Sequence, residues 1–187
     1  MARAVRTLSP SSEVESGCTY GCMKQMTSDR TQQMTSNQVW QELTKASFGV
    51  VSYVTPSGEP RSSGVVYAIA ARRMYVVAAV DSWKAKHIGA TGQVAVTVPV
   101  RRGGIMSLLA PIPPATISFH GSAIVHRASA VQDGSLPKKL VALLPTERRN
   151  LSRVIEIVPS GHFLTYGIGV SLIRMRDPEL ARGRLPV

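Results

Sequence analysis

The sequence predicts a mainly β protein, an antiparallel β-barrel with a few short helices. About six short segments rich in β-branched and small apolar residues are separated by turns at hairpin-like spacing. The segments with a helical pattern are all short, the first beginning at Thr35, the second after Asp81 and the third at Pro137. Many short strands with only small helices between them favour an antiparallel barrel.

Length and composition predict one domain preceded by a tail. The chain has 187 residues, enough for a full core. Residues 1–34 are rich in Ser, Thr, Gln and Met and follow neither a helical nor a strand period, so we predict a disordered N-terminal extension and a barrel domain at residues 35–187. Cys18 and Cys22 lie in the extension without a second cysteine pair or a nearby histidine, and we interpret them as incidental thiols.

The charge of the chain limits its partners. The net charge is +11 and the isoelectric point is about 10.4. A basic domain suits nucleic acid, an acidic membrane surface or phosphorylated small molecules. Only 5% of the residues are aromatic, and no basic run alternates with aromatics, so nucleic acid is not the expected partner. No apolar run is long enough to span a membrane and no secretory signal is visible, so we expect a cytoplasmic protein.

The first part of the predicted domain contains a helix and a hairpin. Thr35 and Gln38 form a capping-box pattern, which predicts a short amphipathic helix after Thr35. A strand at residues 48–55 is followed by a turn and a second strand at residues 61–70. Gly64 within the second strand predicts a bulge or a close approach by a ligand or another backbone.

A polar corner follows the third strand, and the chain is organised around it. Residues 74–80 read as a buried strand, after which Asp81 or Ser82 can cap a short helix that Gly89 closes. Lys84 and Lys86 lie in its first turn. A helix N-terminus presents unpaired N–H groups and partial positive charge, so two added ammonium groups suit an anion. We predict that a phosphate of a bound cofactor lies at this corner.

The remaining segments complete the barrel. Residues 101–114 are a proline- and glycine-containing loop with apolar residues, typical of an interface or an active-site cover. The other elements are a strand at 93–100, a long strand at 115–127 broken near Gly121, a helix at 137–144, a late strand at 154–158 that leads into the Gly-rich stretch 163–170, and a basic segment at 174–187.

The histidines give no support to a hydrolase. His87, His120, His126 and His162 are scattered and show none of the spacings of a zinc site. No nucleophile elbow and no Cys/His arrangement for catalysis is visible. We therefore predict no metal site.

The chain resembles the flavin-binding split barrels related to pyridoxamine 5′-phosphate oxidase. The resemblance covers roughly Ser36 to Val187, and the Ser-x-Lys-x-Lys-x-Ile corner is its most specific part. Four features match in the order of the family: the hairpin turn Ser57–Pro60, the corner Ser82–Ile88, the strand Ala115–Gly121 and the late strand Val154–Pro159.

The resemblance implies a six-stranded split barrel that forms a homodimer with two flavins between the subunits. The cofactor is FMN, or the deazaflavin F420 in some branches; haem is a less favoured choice. Three groups of residues match cofactor positions: Ser82, Lys84 and Lys86 for the phosphate; Val65, Val66 and Tyr67 for the strand whose backbone faces the flavin ring; and Thr116 for a polar position before Gly121. Arg61, Arg182 and Arg184 are candidates for an anionic cofactor or substrate group.

The departures from the family limit the activity. Trp83 stands where the oxidase has an arginine, and neither the glutamine at the Thr116 position nor the arginines that hold pyridoxal phosphate are matched. The expected function is therefore flavin- or deazaflavin-dependent hydride transfer to or from a small organic substrate beneath the 101–114 loop, with catalytic residues of the protein unassigned. The alternatives are a non-catalytic flavin or haem carrier and a basic nucleic-acid-associated protein.

Overall fold

A computed structural model of the chain describes residues 34–101, 114–128, 140–141, 144, 146–171, 175 and 177–187. The predicted disordered extension (apart from Met34), both cysteines, residues 102–113 of the loop and most of the predicted helix at 137–144 lie outside the described residues. Those predictions stay predictions.

The described chain folds as a closed antiparallel barrel. Hydrogen-bonded neighbours follow the order β3-β2-β1-β4-β5-β6, and β6 pairs with β3 to close the ring, while β7 adds to β6. This confirms the predicted six-stranded barrel with a few short helices. The elements are α1 (Ser36–Lys45), β1 (Phe48–Val54), β2 (Pro60–Ala70), β3 (Arg73–Ala79), α2 (Trp83–Thr91), β4 (Gln93–Val100), β5 (Ala115–Arg127), a 3-10 helix (Thr146–Leu151), β6 (Ser152–Tyr166), α3 (Pro178–Ala181) and β7 (Arg182–Pro186).

The long strand β6 changes partner along its length. Its first part pairs with β3 and its last part pairs with β7. Between them Gly161 has a φ of +72°, a left-handed conformation that glycine adopts without steric cost. The register with β5 shifts at the same place, between Ser118 and His120. The predicted interruption of β5 near Gly121 is therefore wrong: β5 is continuous, and the irregularity is a change of register against β6.

The barrel is split between β2 and β3, because only part of β2 pairs with β3. Its residues 67–70 pair with β3, whereas residues 60–66 pair with β1 and have no strand on their other edge among the described residues. Residues 74–79 of β3 pair with β6 along the opposite edge of β3, so residues 77–79 and residues 60–66 border the split. Gly64 lies in regular register with Val50, so the predicted bulge is absent; a Cβ atom there would lie 3.1 Å from the ring of Phe48.

Helix α1 begins at the predicted capping box, and its apolar side packs against the core of the barrel. The Gln38 backbone N–H donates to Thr35 Oγ1 at 3.3 Å, and the Thr35 N–H donates to Gln38 Oε1 at 2.7 Å. The apolar stripe is buried, with Trp40 edge-on to Phe163 at a ring distance of 5.3 Å. The Tyr67 hydroxyl donates to the Leu43 carbonyl at 2.9 Å and ties α1 to β2.

The apolar core fills the barrel, and a smaller cluster lies outside it. The second cluster consists of Ala68, Tyr75, Leu140, Leu144 and Val154. Strand β3 contributes side chains to both clusters, one from each face, which explains why its residues are nearly all apolar. None of the described helices is long and apolar enough to cross a membrane.

Candidate functional site

Helix α2 begins at Ser82, as its sequence pattern predicted. The Ser82 hydroxyl oxygen accepts a hydrogen bond from the Ala85 N–H at 3.2 Å and is the N-cap. The predicted end at Gly89 is wrong. The helix continues to Thr91 and is capped by Gly92, whose φ of +66° is the left-handed conformation that ends helices. Gly89 instead packs near β5, where its Cβ would lie 3.5 Å from Val125 Cγ2.

The two lysines of α2 have different environments. Lys84 is half-buried, and burial lowers its pKa because the charged form loses water. Lys86 is exposed, and its Nζ lies 4.9 Å from the centre of the Trp83 ring, a cation–π contact. Side chains two positions apart do not share a helix face. The structure therefore places both lysines in the first turn but on different sides of it.

A row of three rings runs from the barrel to the start of α2. Tyr53 of β1 lies 6.0 Å from His87, and His87 lies 5.5 Å from Trp83, measured between ring centres. Nδ1 of His87 is buried and has no hydrogen-bond partner among the described residues. Sequence reasoning did not assign Tyr53 or His87 to the site, because only the fold brings β1 and α2 together.

Arg61 lies at the same end of the barrel as α2. It is the direct cross-strand partner of Tyr53, whose ring contacts His87. Lys84 is three positions before His87 and so lies on the same flank of the helix. The guanidinium of Arg61 pairs with Glu59 at 2.7 Å, and both side chains are 59% exposed. Arg61 is thus linked to α2 through Tyr53 and His87, and its guanidinium is already paired to a carboxylate.

The three residues predicted to line the flavin ring alternate across β2. Val65 and Tyr67 point into the barrel and are buried, whereas Val66 is 53% exposed. The Tyr67 N–H donates to the Ser47 carbonyl, and the Tyr67 hydroxyl donates to the Leu43 carbonyl, so neither donor is available to a ligand. What β2 offers a ligand is thus the backbone edge before Tyr67 and the side chain of Val66.

Thr116, Arg182 and Arg184 come together on the outer face of the sheet. Thr116 is opposite Tyr166 of β6, and Tyr166 is opposite Arg182 of β7. They line a groove of about 600 Å³. Arg182 lies 3.5 Å from Glu179, and the Arg184 guanidinium lies 3.4 Å from Nδ1 of His162. Residues 182–186 of the basic segment therefore form a seventh strand, which places Arg182 and Arg184 on this surface.

This groove is remote from α2 within one chain. Thr116 lies at one end of β5, whereas Val125, which contacts α2 at Gly89, is nine residues further along it. Nine residues of extended chain span roughly 30 Å. The structure thus separates the predicted site residues at the start of α2 from those on β5 and β7, with Val65, Val66 and Tyr67 on β2.

A second cavity adjoins the loop that was predicted to cover the substrate. It has a volume of about 670 Å³ and is bordered by Arg101 and Pro114, the two described ends of that loop. Glu42, Lys45 and Phe48 line its other side.

A buried carboxylate on the outside of the barrel was not predicted. Glu156 of β6 accepts hydrogen bonds from Arg73 of β3 and, at 2.7 Å, from Nε2 of His126 of β5. The three residues are on separate strands, so no spacing in the sequence indicates that they meet. The cluster links β3, β5 and β6 of the closed barrel.

Comparisons with known proteins bear on the fold. No protein-family model matches the chain, and no curated protein sequence matches it. Solved structures do match. General Stress Protein 26 from Bacillus anthracis is 18% identical with a TM-score of 0.51, over 69% of this chain and 91% of that one. A conserved hypothetical protein from Mycobacterium tuberculosis is 14% identical with a TM-score of 0.50, over 67% and 81%. An FAD-binding protein from Mesorhizobium loti is 15% identical with a TM-score of 0.50, over 68% and 91%.

These similarities, together with the closed barrel and the open edge of β2, define the chain as a split β-barrel protein. The resemblance predicted from the sequence is confirmed at the level of the fold. At identities of this size the similarity extends to the fold alone. The ligand and the reaction have to be argued from the site.

Proposed function

We propose that the chain is a flavin-binding split-barrel oxidoreductase that works as a homodimer, with FMN or the deazaflavin F420 as cofactor. It transfers hydride between the reduced cofactor and a small organic substrate. The cytoplasm is its proposed compartment. A flavin supplies the hydride chemistry itself, so the protein has to bind, orient and shield it.

One observation carries the proposal: β3 separates from β2 after the Tyr67–Val76 pair, and the chain then runs directly into α2, with Lys84 in its first turn. A lysine whose pKa is lowered by burial gains most when an anion replaces the water it has lost. Residues 60–66 provide backbone groups that no described strand pairs on the edge facing away from β1. A phosphate at α2 and a planar ring along β2 fit these two features.

The Ser82 hydroxyl is placed to donate a hydrogen bond to the proposed phosphate. Its oxygen is occupied as the cap of Ala85, which leaves the O–H free to donate to a phosphate oxygen. Lys86, held over Trp83, adds a second positive charge at the helix start. The site has no carboxylate in the first turn of α2 to repel an anion.

A homodimer accounts for the distance between the two groups of residues. The groove with Thr116, Arg182 and Arg184 lies on the outer face of the sheet, and Val125, which contacts Gly89 of α2, lies roughly 30 Å further along β5. The same outer face exposes the apolar side chains of Phe48, Val66 and Leu164. In the proposed dimer a second copy covers this face, and its groove completes the cofactor site of the first.

Removal of the lysines tests the proposal. We expect Lys84→Ala with Lys86→Ala to weaken FMN binding at least tenfold, about the effect of losing one charge-assisted contact to phosphate. Lys45→Ala is the matched control, because Lys45 is an exposed lysine on α1 whose partner is Glu42. Equilibrium dialysis with FMN and with F420 gives both affinities. An affinity that is unchanged in the double variant would rule out the phosphate site.

Two further measurements separate an enzyme from a carrier. Light scattering during gel filtration should give the mass of two chains. The reduced cofactor should be oxidised faster in the presence of a panel of small organic acceptors than with the protein alone. Tight cofactor binding without any such turnover would support a non-catalytic carrier instead.

A further inference from the structure

Two strongly exposed apolar side chains belong to neighbouring segments at the end of the barrel where α2 lies. Trp83 is 70% exposed and Leu151, the last residue of the 3-10 helix, is 64% exposed, the largest values for large hydrophobic side chains in the part of the chain that the structure describes. The Val80 N–H donates to the Leu151 carbonyl at 2.8 Å, and Trp83 follows Val80 closely in the chain. Neither side chain belongs to the outer sheet face that the second copy is proposed to cover.

Arginines from two strands and from the 3-10 helix lie at the same end of the barrel. Arg127 of β5 is the direct cross-strand partner of Arg153 of β6, and Arg153 is also opposite Ala78, near the end of β3. Arg148 lies in the 3-10 helix with Leu151. None of these three arginines forms an ion pair with a residue that the structure describes. Like charges directly opposite one another destabilise a sheet, so an external anion beside Arg127 and Arg153 would stabilise it.

The charge around the two apolar side chains is mainly positive. Residues 81–91, 127 and 146–153 contain six lysines and arginines against two acidic residues, Asp81 and Glu147. Lys86 lies over one face of the Trp83 ring at 4.9 Å, and most of the indole stays open to water. We call Trp83, Leu151 and the arginines 127, 148 and 153 the Trp83–Leu151 surface.

We propose that the Trp83–Leu151 surface docks on an anionic membrane, with the two apolar side chains among the lipid headgroups and the arginines against lipid phosphates. Tryptophan is enriched at the level of the headgroups, and basic side chains beside exposed apolar ones are the pattern of proteins that lie on a membrane. This goes beyond the proposed function and agrees with the proposed compartment, because the cytoplasmic leaflet carries the anionic lipids.

The combination of residues favours lipid over the other polyanion, nucleic acid. Proteins that bind single strands stack successive bases on several aromatic rings, and this surface has one indole. Leu151 has no ring to stack on a base, whereas burial of an aliphatic side chain among lipid chains is favourable. Neither Trp83 nor Leu151 lines either of the two large cavities of the described chain, so the surface is not the mouth of one of them.

Co-sedimentation of the full chain with lipid vesicles tests the inference. We expect binding to vesicles of two parts phosphatidylcholine to one part phosphatidylserine, and binding weaker by at least about tenfold to phosphatidylcholine alone, since each basic residue at an anionic surface contributes about a fivefold gain. Trp83→Ser with Leu151→Ser should weaken binding to the anionic vesicles clearly. The emission of Trp83 should also shift to shorter wavelength on these vesicles, and Trp83→Phe should abolish the shift, because Trp40 is already buried.

Two double variants of equal net charge test the position of the basic residues. Arg127→Gln with Arg153→Gln should weaken binding to the anionic vesicles at least about tenfold. Lys45→Gln with Arg72→Gln is the matched control and should keep the binding of the wild type. Both control side chains are exposed, and they lie on α1 and in the turn between β2 and β3, at the other end of β3.

Each other result overturns the inference. Equal losses in the two charge variants would show that the net charge of the whole protein attracts the vesicles. Unchanged binding in Trp83→Ser with Leu151→Ser would show that no apolar side chain enters the headgroups, and no sedimentation with anionic vesicles would exclude docking outright. A duplex oligonucleotide that binds through Trp83 and displaces the vesicles would assign the surface to nucleic acid. The proposed function is tested apart from this, by FMN binding, so either proposal can fail alone.

Discussion

Nε2 of His126 lies 2.7 Å from Oε2 of Glu156, on the outside of the barrel. Arg73 hydrogen-bonds the other oxygen of the same carboxylate, so one buried group connects β3, β5 and β6. Burial alone would raise the pKa of Glu156, but the hydrogen bonds and charges of Arg73 and His126 outweigh it and hold that pKa below its usual value. Glu156 is therefore ionised at neutral pH.

The Glu156 cluster predicts a pH dependence of stability. The pKa is lower in the folded than in the unfolded chain, so the stabilisation is complete above the unfolded value, about 4.3, and is lost as the pH falls through the folded pKa. We expect Glu156→Gln to lower the free energy of unfolding by about 1–2 kcal/mol at pH 7. The difference from wild type should shrink in acid. Urea unfolding of both proteins at neutral and acidic pH measures it.

Glu59→Gln is the control for this prediction. Glu59 also pairs with an arginine, Arg61, but both side chains are 59% exposed, so the substitution should change stability by less than about 0.5 kcal/mol. If Glu156→Gln were as harmless as Glu59→Gln, the cluster would contribute no more than a surface ion pair.

Burial of Lys84 predicts how anion binding responds to alkali. Its pKa is lowered, so it loses its proton at a lower pH than an ordinary lysine, and a bound phosphate loses its partner. The affinity for inorganic pyrophosphate or FMN should therefore fall as the pH rises through that pKa. Lys84→Arg should flatten this limb because a guanidinium stays charged. Calorimetric titrations over the alkaline range give the profile, and an identical profile in Lys84→Arg would exclude Lys84 as its source.

The buried hydrogen bond of the Tyr67 hydroxyl predicts that Tyr67→Phe, which removes only that oxygen, lowers the stability of the fold. It donates to the Leu43 carbonyl near the end of α1, and burial raises the pKa of Tyr67, which keeps the donor protonated. Tyr67→Phe removes the donor and leaves a carbonyl without its partner, so we expect a loss of about 1 kcal/mol. Thermal unfolding measures the change. No loss would mean that water reaches the Leu43 carbonyl in the variant.

Local signals in the sequence were read correctly more often than distant ones. The capping box of Thr35 and Gln38 and the cap at Ser82 concern residues within one turn, and the structure has both. The end of α2 was misassigned because Gly89 and Gly92 both fit a C-terminal cap. Only the backbone decides between them, and Gly92 has the left-handed φ.

Strand β7 and the groove beside it could not be predicted from local sequence, because both depend on pairing between distant segments of the chain. Residues 182–186 contain two arginines and end in proline, a pattern typical of an edge strand that is protected from aggregation rather than of a core strand. Their pairing with β6 brings Arg182 and Arg184 to Thr116, about 66 residues earlier in the chain. The lysines of α2 could be assigned from the residues of a single helical turn. The groove could not, because it forms only when β5, β6 and β7 pair in the observed register.

The tight contact between Gly121 and β6 predicts the most damaging glycine substitution in the barrel. A Cβ atom on Gly121 would lie 2.2 Å from the Val158 carbonyl oxygen, a backbone atom that cannot turn away. We expect Gly121→Ala to cost about 2–3 kcal/mol through separation of β5 from β6. Gly64→Ala is the matched control on β2, where the nearest atoms belong to the exposed ring of Phe48, 3.1 Å away and free to move. Urea unfolding should show a clearly larger loss for Gly121→Ala; equal losses would mean that the two strands separate at little cost.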